Sequence, residues 1–292
     1  MGEIVGSGVV AHVPPIMVEA QRRVALNGGR DTTLVDGLAR LRAEVLDRLR
    51  PDTVIVFDTH WFTTQEHILT AHERRRGTFT SEELPTVIHG VDYDAPGDPE
   101  LARAVEAAGV RADDTWVLAS DDPHLPIHYA TVNLLHHLQG DERWISAGVC
   151  QTADREDFLR FGEVLAEAVA GVDRRVVLLG SGGMSHRFWP LRQFRDHEAF
   201  GPEHIRTPEA RAADEAILAR WAEGDHASVI DGYDEYRQFS PEAFFGHYLM
   251  LVGALGGRAC TAPGVPYSAY EASAGTGQVH VWFDRPDAGW TT

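Results

Sequence analysis

Short apolar runs alternate along this chain with amphipathic stretches of helical period, and that alternation narrows the possible folds more than any other feature. Ile4–His12, Thr53–Asp58, Trp144–Val149, Val176–Leu179 and Val279–Phe283 read as buried strands. Between them, Leu34, Leu38, Leu41, Val45 and Leu49 recur at spacings of three and four, the mark of a helix with one buried face. Phe158, Phe161, Leu165 and Val169 repeat that pattern. Thr207-Pro208-Glu209 opens a further helix with a capping hydroxyl and a proline in the first turn, continuing through Trp221 to Gly224. Phe244, Tyr248, Leu251 and Leu255 mark one more, ended by Gly256-Gly257. Strands interleaved with helices of this length predict an α/β fold, with a central, mostly parallel or mixed sheet flanked by helices. There is no repeat, low-complexity tract or Ser/Gly linker, so residues 1–292 are expected to form a single domain. The stretch from His72 to Gly97 has turn residues and no clear period, and reads as a long loop.

Charge removes several classes of partner. The formal net charge is −18, from 44 acidic against 26 basic residues. Nucleic acid and anionic membrane both demand clustered positive charge, so neither is an expected partner. No apolar run approaches the ~20 residues that span a bilayer. The start, MGEIVGSGVVAHVPP, lacks the basic region and cleavage site of a signal peptide. Cys150 and Cys260 are the only thiols, which suits a reducing cytosol, so a cytoplasmic location is expected.

In an open α/β sheet, ligands bind beyond the carboxyl ends of the strands. Histidines fall at three such places. His12 closes the first run before Pro14-Pro15, His60 follows Val54–Thr59, and His186 ends the turn Ser181-Gly182-Gly183-Met184-Ser185-His186 after the Val176 strand. One histidine at a strand end is more often structural, but three on loops able to converge point to metal or acid–base chemistry. Two imidazoles and one carboxylate on one face of Fe(II) leave positions open for substrate and oxygen. Glu242, after Ser240-Pro241 at the start of an apolar helix expected over Ala243–Leu255, is the candidate carboxylate. On spacing alone, a glutamate that merely serves the helix dipole is the better reading. Gly6-Ser7-Gly8-Val9-Val10-Ala11 fits a dinucleotide fingerprint only by chance, since His12-Val13-Pro14-Pro15 follows where a helix should begin. Gly180-Ser181-Gly182-Gly183 misses the nucleophile elbow of serine hydrolases. Gly275-Thr276-Gly277, just before the last strand, forms a turn or a flexible loop over a site.

Five segments together resemble the class III extradiol dioxygenases, the superfamily of the protocatechuate 4,5-dioxygenase catalytic subunit. They are Ala11-His12-Val13-Pro14, Val56-Phe57-Asp58-Thr59-His60-Trp61, Thr80-Ser81-Glu82-Glu83-Leu84-Pro85, the run from Gly180 to Phe188, and Gly275-Thr276-Gly277-Gln278-Val279. The resemblance runs nearly end to end and looks closest to the branch that cleaves 3,4-dihydroxyphenylacetate at its 2,3 bond. It implies that His12, His60 and Glu242 bind Fe(II), with Mn(II) or Zn(II) less favoured, that O2 is the co-substrate, and that His186 is an acid–base residue beside the metal. The implied partner is a small catechol, opened to a hydroxymuconic semialdehyde in the catabolism of aromatic compounds, and a homo-oligomer is the expected assembly.

Other branches carry an Asp-His-Gly segment in mid-chain whose histidine faces the substrate. Here the corresponding stretch is His128-Tyr129-Ala130-Thr131, which gives Tyr129 that place and leaves His124 and His128 as alternatives. An acidic substituent on the catechol would need a cationic or hydrogen-bonding partner, for which Arg187, Tyr267, Tyr270 and Ser273 are candidates. A Zn(II)-binding relative without oxygenase activity is the alternative reading, and a metal-dependent hydrolase a third.

Overall fold

The structure, a computed structural model, describes residues 1–291. Twelve strands are present: β1 (Glu3–Val10), β2 (Thr53–Thr63), β3 (His67–Thr70), β4 (Arg74–Phe79), β5 (Val91–Pro96), β6 (Val117–Ser120), β7 (Arg143–Cys150), β8 (Arg175–Ser181), β9 (Gly264–Pro266), β10 (Glu271–Ser273), β11 (Thr276–Gln278) and β12 (His280–Asp284). Eight of them form one sheet in the order β6-β3-β7-β2-β8-β1-β12-β9. Its centre is parallel, β7 to β2, β2 to β8 and β8 to β1, while β12 and β9 add antiparallel strands on one side. The expected α/β architecture is the observed one.

Both faces of this sheet are covered, which is why its central strands are apolar throughout rather than alternating. Along β2, Ile55 and Phe57 point into one core together with the helices Arg155–Gly171 and Gly246–Ala254. Val54 and Val56 point into a second core, against the helices Thr33–Arg40 and Tyr129–Leu138. Gly6 and Gly8 of the accidental fingerprint lie inside β1, where any side chain would strike the Trp282 ring.

The helix Arg155–Gly171 begins at a capping box built by Asp154 and Asp157. The Thr207 hydroxyl caps Pro208–Ala222 by accepting from the Ala210 N–H at 3.1 Å. Two expectations are corrected. The stretch from His72 to Gly97 is not a structureless loop, because β4 and β5 pair antiparallel within it, from Arg74 opposite Pro96 to Phe79 opposite Val91. This ribbon is largely exposed and is held by polar cross-strand pairs such as Arg74 with Asp94, so it carries no apolar period to read. The helix expected from Ala243 starts only at Gly246, because Ala243, Phe244 and Phe245 all take left-handed backbone angles.

Candidate metal centre

One hydrogen bond and two local irregularities bring the expected ligands together. His12 lies just past β1, and its carbonyl accepts a 2.7 Å hydrogen bond from the buried Asn133 amide. Along β2, Asp58 pairs with Gly148 and Phe62 with Val149, so Thr59, His60 and Trp61 bulge out of the ladder. That bulge re-aims His60, and its N–H is fixed at 2.9 Å from the Asp58 carboxylate. Glu242 precedes the left-handed run Ala243, Phe244 and Phe245, with φ of 43°, 59° and 61°. Consecutive left-handed residues with side chains are costly and persist only where the surroundings over-determine them. Here the Glu242 N–H donates to the Met184 carbonyl at 3.1 Å, tying the turn to the segment that carries His186.

The side chains converge on one carboxylate. His12 Nε2 and His60 Nε2 each lie 3.4 Å from Glu242 Oε1, and His186 Nε2 lies 3.8 Å from Glu242 Oε2. Ligand atoms of His12, His60 and Glu242 fall within 4.8 Å of one another. An ion bonded at about 2.1 Å to ligands about 90–110° apart spaces them about 3.0–3.4 Å, so the donor set fits a divalent cation. The far ring nitrogens are already engaged. His12 Nδ1 donates to Ser181 Oγ at 3.0 Å, since the Ser181 hydroxyl is itself donating to the Ala130 carbonyl at 2.8 Å. His60 Nδ1 lies 3.3 Å from the Glu83 carboxylate. Both Nε2 lone pairs are thereby left for a metal. Glu242 also accepts from the Thr59 hydroxyl at 2.6 Å and from the Gly183 N–H at 2.5 Å, an approach that any side chain at Gly183 would obstruct.

Without an ion, imidazole N–H groups take its place against Glu242. Burial pushes the Glu242 carboxyl up, but the His12 and His186 imidazoles and hydrogen bonds from His12 and His60 outweigh it and hold the group well below its usual range. Burial likewise pulls His60 down, yet Glu242 and Glu83 raise it to about 10. His186 is lowered, chiefly by burial, which favours its neutral form. Burial and the neighbouring carboxylates raise Tyr129, so its phenol keeps its hydrogen.

Residues 7–283 match the family described as the catalytic LigB subunit of aromatic ring-opening dioxygenase. The chain belongs to this class III extradiol dioxygenase family. It is 30% identical over 268 residues to the 3,4-dihydroxyphenylacetate 2,3-dioxygenase of Escherichia coli, covering 88% of this chain and 91% of that one. It is 26% identical over 259 residues to the 2-aminophenol 1,6-dioxygenase beta subunit of a Pseudomonas species, covering 83% and 81%. The fold is that of an uncharacterised Escherichia coli K12 protein, with a TM-score of 0.64 at 18% identity over 96% of this chain and 99% of that one. No helix among the described residues is long and apolar enough to cross a membrane.

In this dioxygenase the triad forms part of the wall of a cavity of about 990 Å³, which His186, Tyr129 and Ser273 also line. That volume is at the upper end of sites for small organic ligands, about 300–1,000 Å³. The Tyr129 ring sits 3.9 Å from the His60 ring, centroid to centroid. Other expected substrate contacts lie elsewhere. Arg187 is exposed and donates to the Gln238 carbonyl at 3.1 Å. Tyr267 lies under the Arg40 guanidinium at 5.0 Å, and the Tyr270 hydroxyl donates to buried Asp214 at 2.7 Å. His124 is exposed at the surface, and the His128 ring stacks at 6.3 Å on Trp61 instead of lining the cavity. The Ser273 hydroxyl donates to the Glu198 carbonyl at 3.1 Å.

Several cavity residues escaped sequence reading. Arg22 and Arg195 line it and take part in no ion pair or side-chain hydrogen bond among the described residues, whereas the neighbouring Arg23 is held by Asp31 at 2.5 Å. Phe188 packs edge-on against His186 at 4.8 Å and is 55% exposed, offering a face to an aromatic ligand. No periodicity signals Arg22 or Arg195. Ser181, Glu83 and Phe188 do fall inside segments that carry the family resemblance, but nothing in those segments assigns them a partner.

Proposed function

We propose that this protein is an Fe(II)-dependent extradiol dioxygenase that opens a substituted catechol beside one hydroxyl, placing both atoms of O2 in a hydroxymuconic semialdehyde. The observation that carries the reading is the convergence of His12 Nε2 and His60 Nε2 on one oxygen of Glu242 at the wall of an open cavity. Bound there, Fe(II) would hold catechol and O2 side by side and lower the pKa of the ring hydroxyls.

The chain's own residues do the rest. His186, kept neutral by burial, takes a hydroxyl proton as the catechol binds and returns one as the O–O bond breaks. Such help is typically worth ~10²–10⁴-fold. Tyr129, which keeps its hydrogen, donates to the substrate from the His60 side of the cavity. Phe188 stacks on the ring. Val13, Pro14 and Met17 supply apolar wall that limits water around the reacting oxygens.

The substrate we favour is a catechol with a short acidic side chain, 3,4-dihydroxyphenylacetate or a close analogue. Two things support it: the relative of that name at 30% identity, and two cavity guanidinia free to receive a carboxylate, Arg22 and Arg195. Glu19 and Glu198 line the same mouth, so an amine-bearing catechol is the competing substrate. Assembly into a homo-oligomer is part of the same proposal. The deciding experiment is anaerobic reconstitution with Fe(II), then addition of catechols and air. A yellow ring-opened product with one O2 consumed per catechol is expected. No O2 uptake with any catechol would overturn the reading.

A further inference from the structure

The helix Pro208–Ala222 buries Ala210, Asp214, Ile217 and Trp221, a stripe at spacings of four, three and four. Three members of that stripe are apolar and the fourth is a carboxylate with no exposure at all. Among the described residues Asp214 has no cationic partner; burial raises its carboxyl above the ordinary range, and only hydrogen-bond donors from Tyr236, Tyr270 and Ser185 work against that. Oδ1 accepts from the Ser185 N–H at 3.1 Å and the Tyr236 hydroxyl at 2.7 Å. Oδ2 accepts from the Ser185 hydroxyl at 2.8 Å and the Tyr270 hydroxyl at 2.7 Å. Burying a carboxyl group without a cation is costly where an aliphatic residue would cost nothing. Its location shows what that cost secures.

Ser185 is gripped through both its backbone and its side chain, and it immediately precedes His186. The same segment is strung between two other elements. Met184 N–H donates to the Gly277 carbonyl at 2.8 Å, and Gly277 N–H donates to the Ser185 carbonyl at 2.9 Å. On the other side, His186 N–H donates to the Ser240 carbonyl at 3.1 Å, and the Met184 carbonyl receives the Glu242 N–H at 3.1 Å. A side chain at Gly277 would strike Asp214 Oδ2, so that glycine admits the carboxylate to the back of the segment.

We propose that Asp214 is a positioning residue, which fixes the register of His186 against Glu242 by clamping Ser185, with Tyr236 and Tyr270 as its struts. The inference rests on the acid–base role given to His186 above. Asp214 touches neither the cavity nor the ligand set, and it acts only through Ser185. Misplacing a proton-transfer group by a fraction of an ångström costs rate while leaving binding intact.

The test is Asp214→Asn in the full chain, loaded with Fe(II), beside Tyr270→Phe and Tyr236→Phe. Asparagine keeps the shape but puts an N–H donor where Oδ2 accepts, so the Ser185 and Tyr270 hydroxyls must turn from donors to acceptors and the grip on Ser185 loosens. Expected are full iron content, a catechol KM within about twofold of wild type, a kcat at least about tenfold lower, and peroxide released in place of product. A lower Tm with unchanged kcat in the folded protein would show a purely structural carboxylate and overturn the proposal. If Asp214→Asn does not fold, the tyrosine variants decide, since each removes one donor and leaves the carboxyl group in place. An unchanged kcat in both would overturn it equally. Failure of the ring-cleavage reading is separable, because the wild type would then consume no O2. In that event the His186 ring signals in NMR spectra of the metal-free protein carry the test. They should move in Asp214→Asn, and if they do not, the clamp is wrong.

Discussion

Ser181 Oγ lies 3.0 Å from His12 Nδ1, and this contact decides which nitrogen of the ring is free for a metal. The serine hydroxyl is committed to the Ala130 carbonyl, so only the imidazole can be the donor. His12 is thus held as the tautomer with its Nε2 lone pair aimed at the centre. Outer hydrogen bonds of this kind typically account for ~10–100-fold in metal affinity. Ser181→Ala should weaken Fe(II) binding by that order while the fold, read by circular dichroism, stays intact. Metal titration with a competing chelator measures it, and an unchanged affinity would refute the tautomer lock.

His12, His60 and Glu242 should be needed together. In His12→Ala or His60→Ala the remaining donors cannot close one face of the ion, and elemental analysis of the purified variant should find iron strongly depleted. Full occupancy in either variant would remove that residue from the ligand set.

His186→Ala should behave differently. Its ring nitrogen is 3.8 Å from the outer oxygen of Glu242 and reaches neither His12 nor His60 through that contact. The variant should retain iron and bind catechol, yet turn over ~10²–10⁴-fold more slowly, with peroxide leaking from the stalled reaction. Iron loss as deep as that of His60→Ala would make His186 a ligand instead.

The metal-free protein should lose stability on the alkaline side. The His60 pKa is raised in the folded state, to about 10, above the ordinary imidazole value of about 6.5. A raised folded value stabilises fully below the unfolded pKa and is lost as pH climbs through the folded one. Urea melts of metal-free protein should therefore weaken between about pH 6.5 and about pH 10, and His60→Ala should lack this component. Identical pH slopes for the two proteins would contradict the ion pairing of His60 with Glu242 and Glu83.

On substrate, 3,4-dihydroxyphenylacetate should exceed 4-methylcatechol and dopamine in kcat/KM by at least about tenfold, roughly 1.4 kcal/mol of discrimination. Removing Arg195 or Arg22 should narrow that margin and leave turnover of 4-methylcatechol unchanged. A preference for dopamine would instead assign the mouth to Glu19 and Glu198 and end the carboxylate reading.

The sequence by itself determined five strands of the sheet, β1, β2, β7, β8 and β12, the faces of the helices and the chain positions at which chemistry could occur. Short apolar runs rich in β-branched residues, such as Val54–Phe57, read as buried strands, and histidines just after two of the runs fall where an α/β sheet binds ligands. That much is local, because burial and period are written in neighbouring residues. Direction and pairing are not. Tyr270 sits close in sequence to the glycine turn of the cavity, yet its hydroxyl turns toward Asp214, a residue on a distant helix. Arg187 directly follows His186 and still points out to the Gln238 carbonyl, while Arg22 and Arg195 arrive in the cavity from segments with no recognisable signal. The bulge that swings His60 inward and the left-handed run after Glu242 are likewise invisible in residue type, since nothing about threonine, alanine or phenylalanine favours those angles. Only the packed tertiary structure could impose them, because the contacts that offset their strain come from β7, β8 and the His186 segment, each far away along the chain.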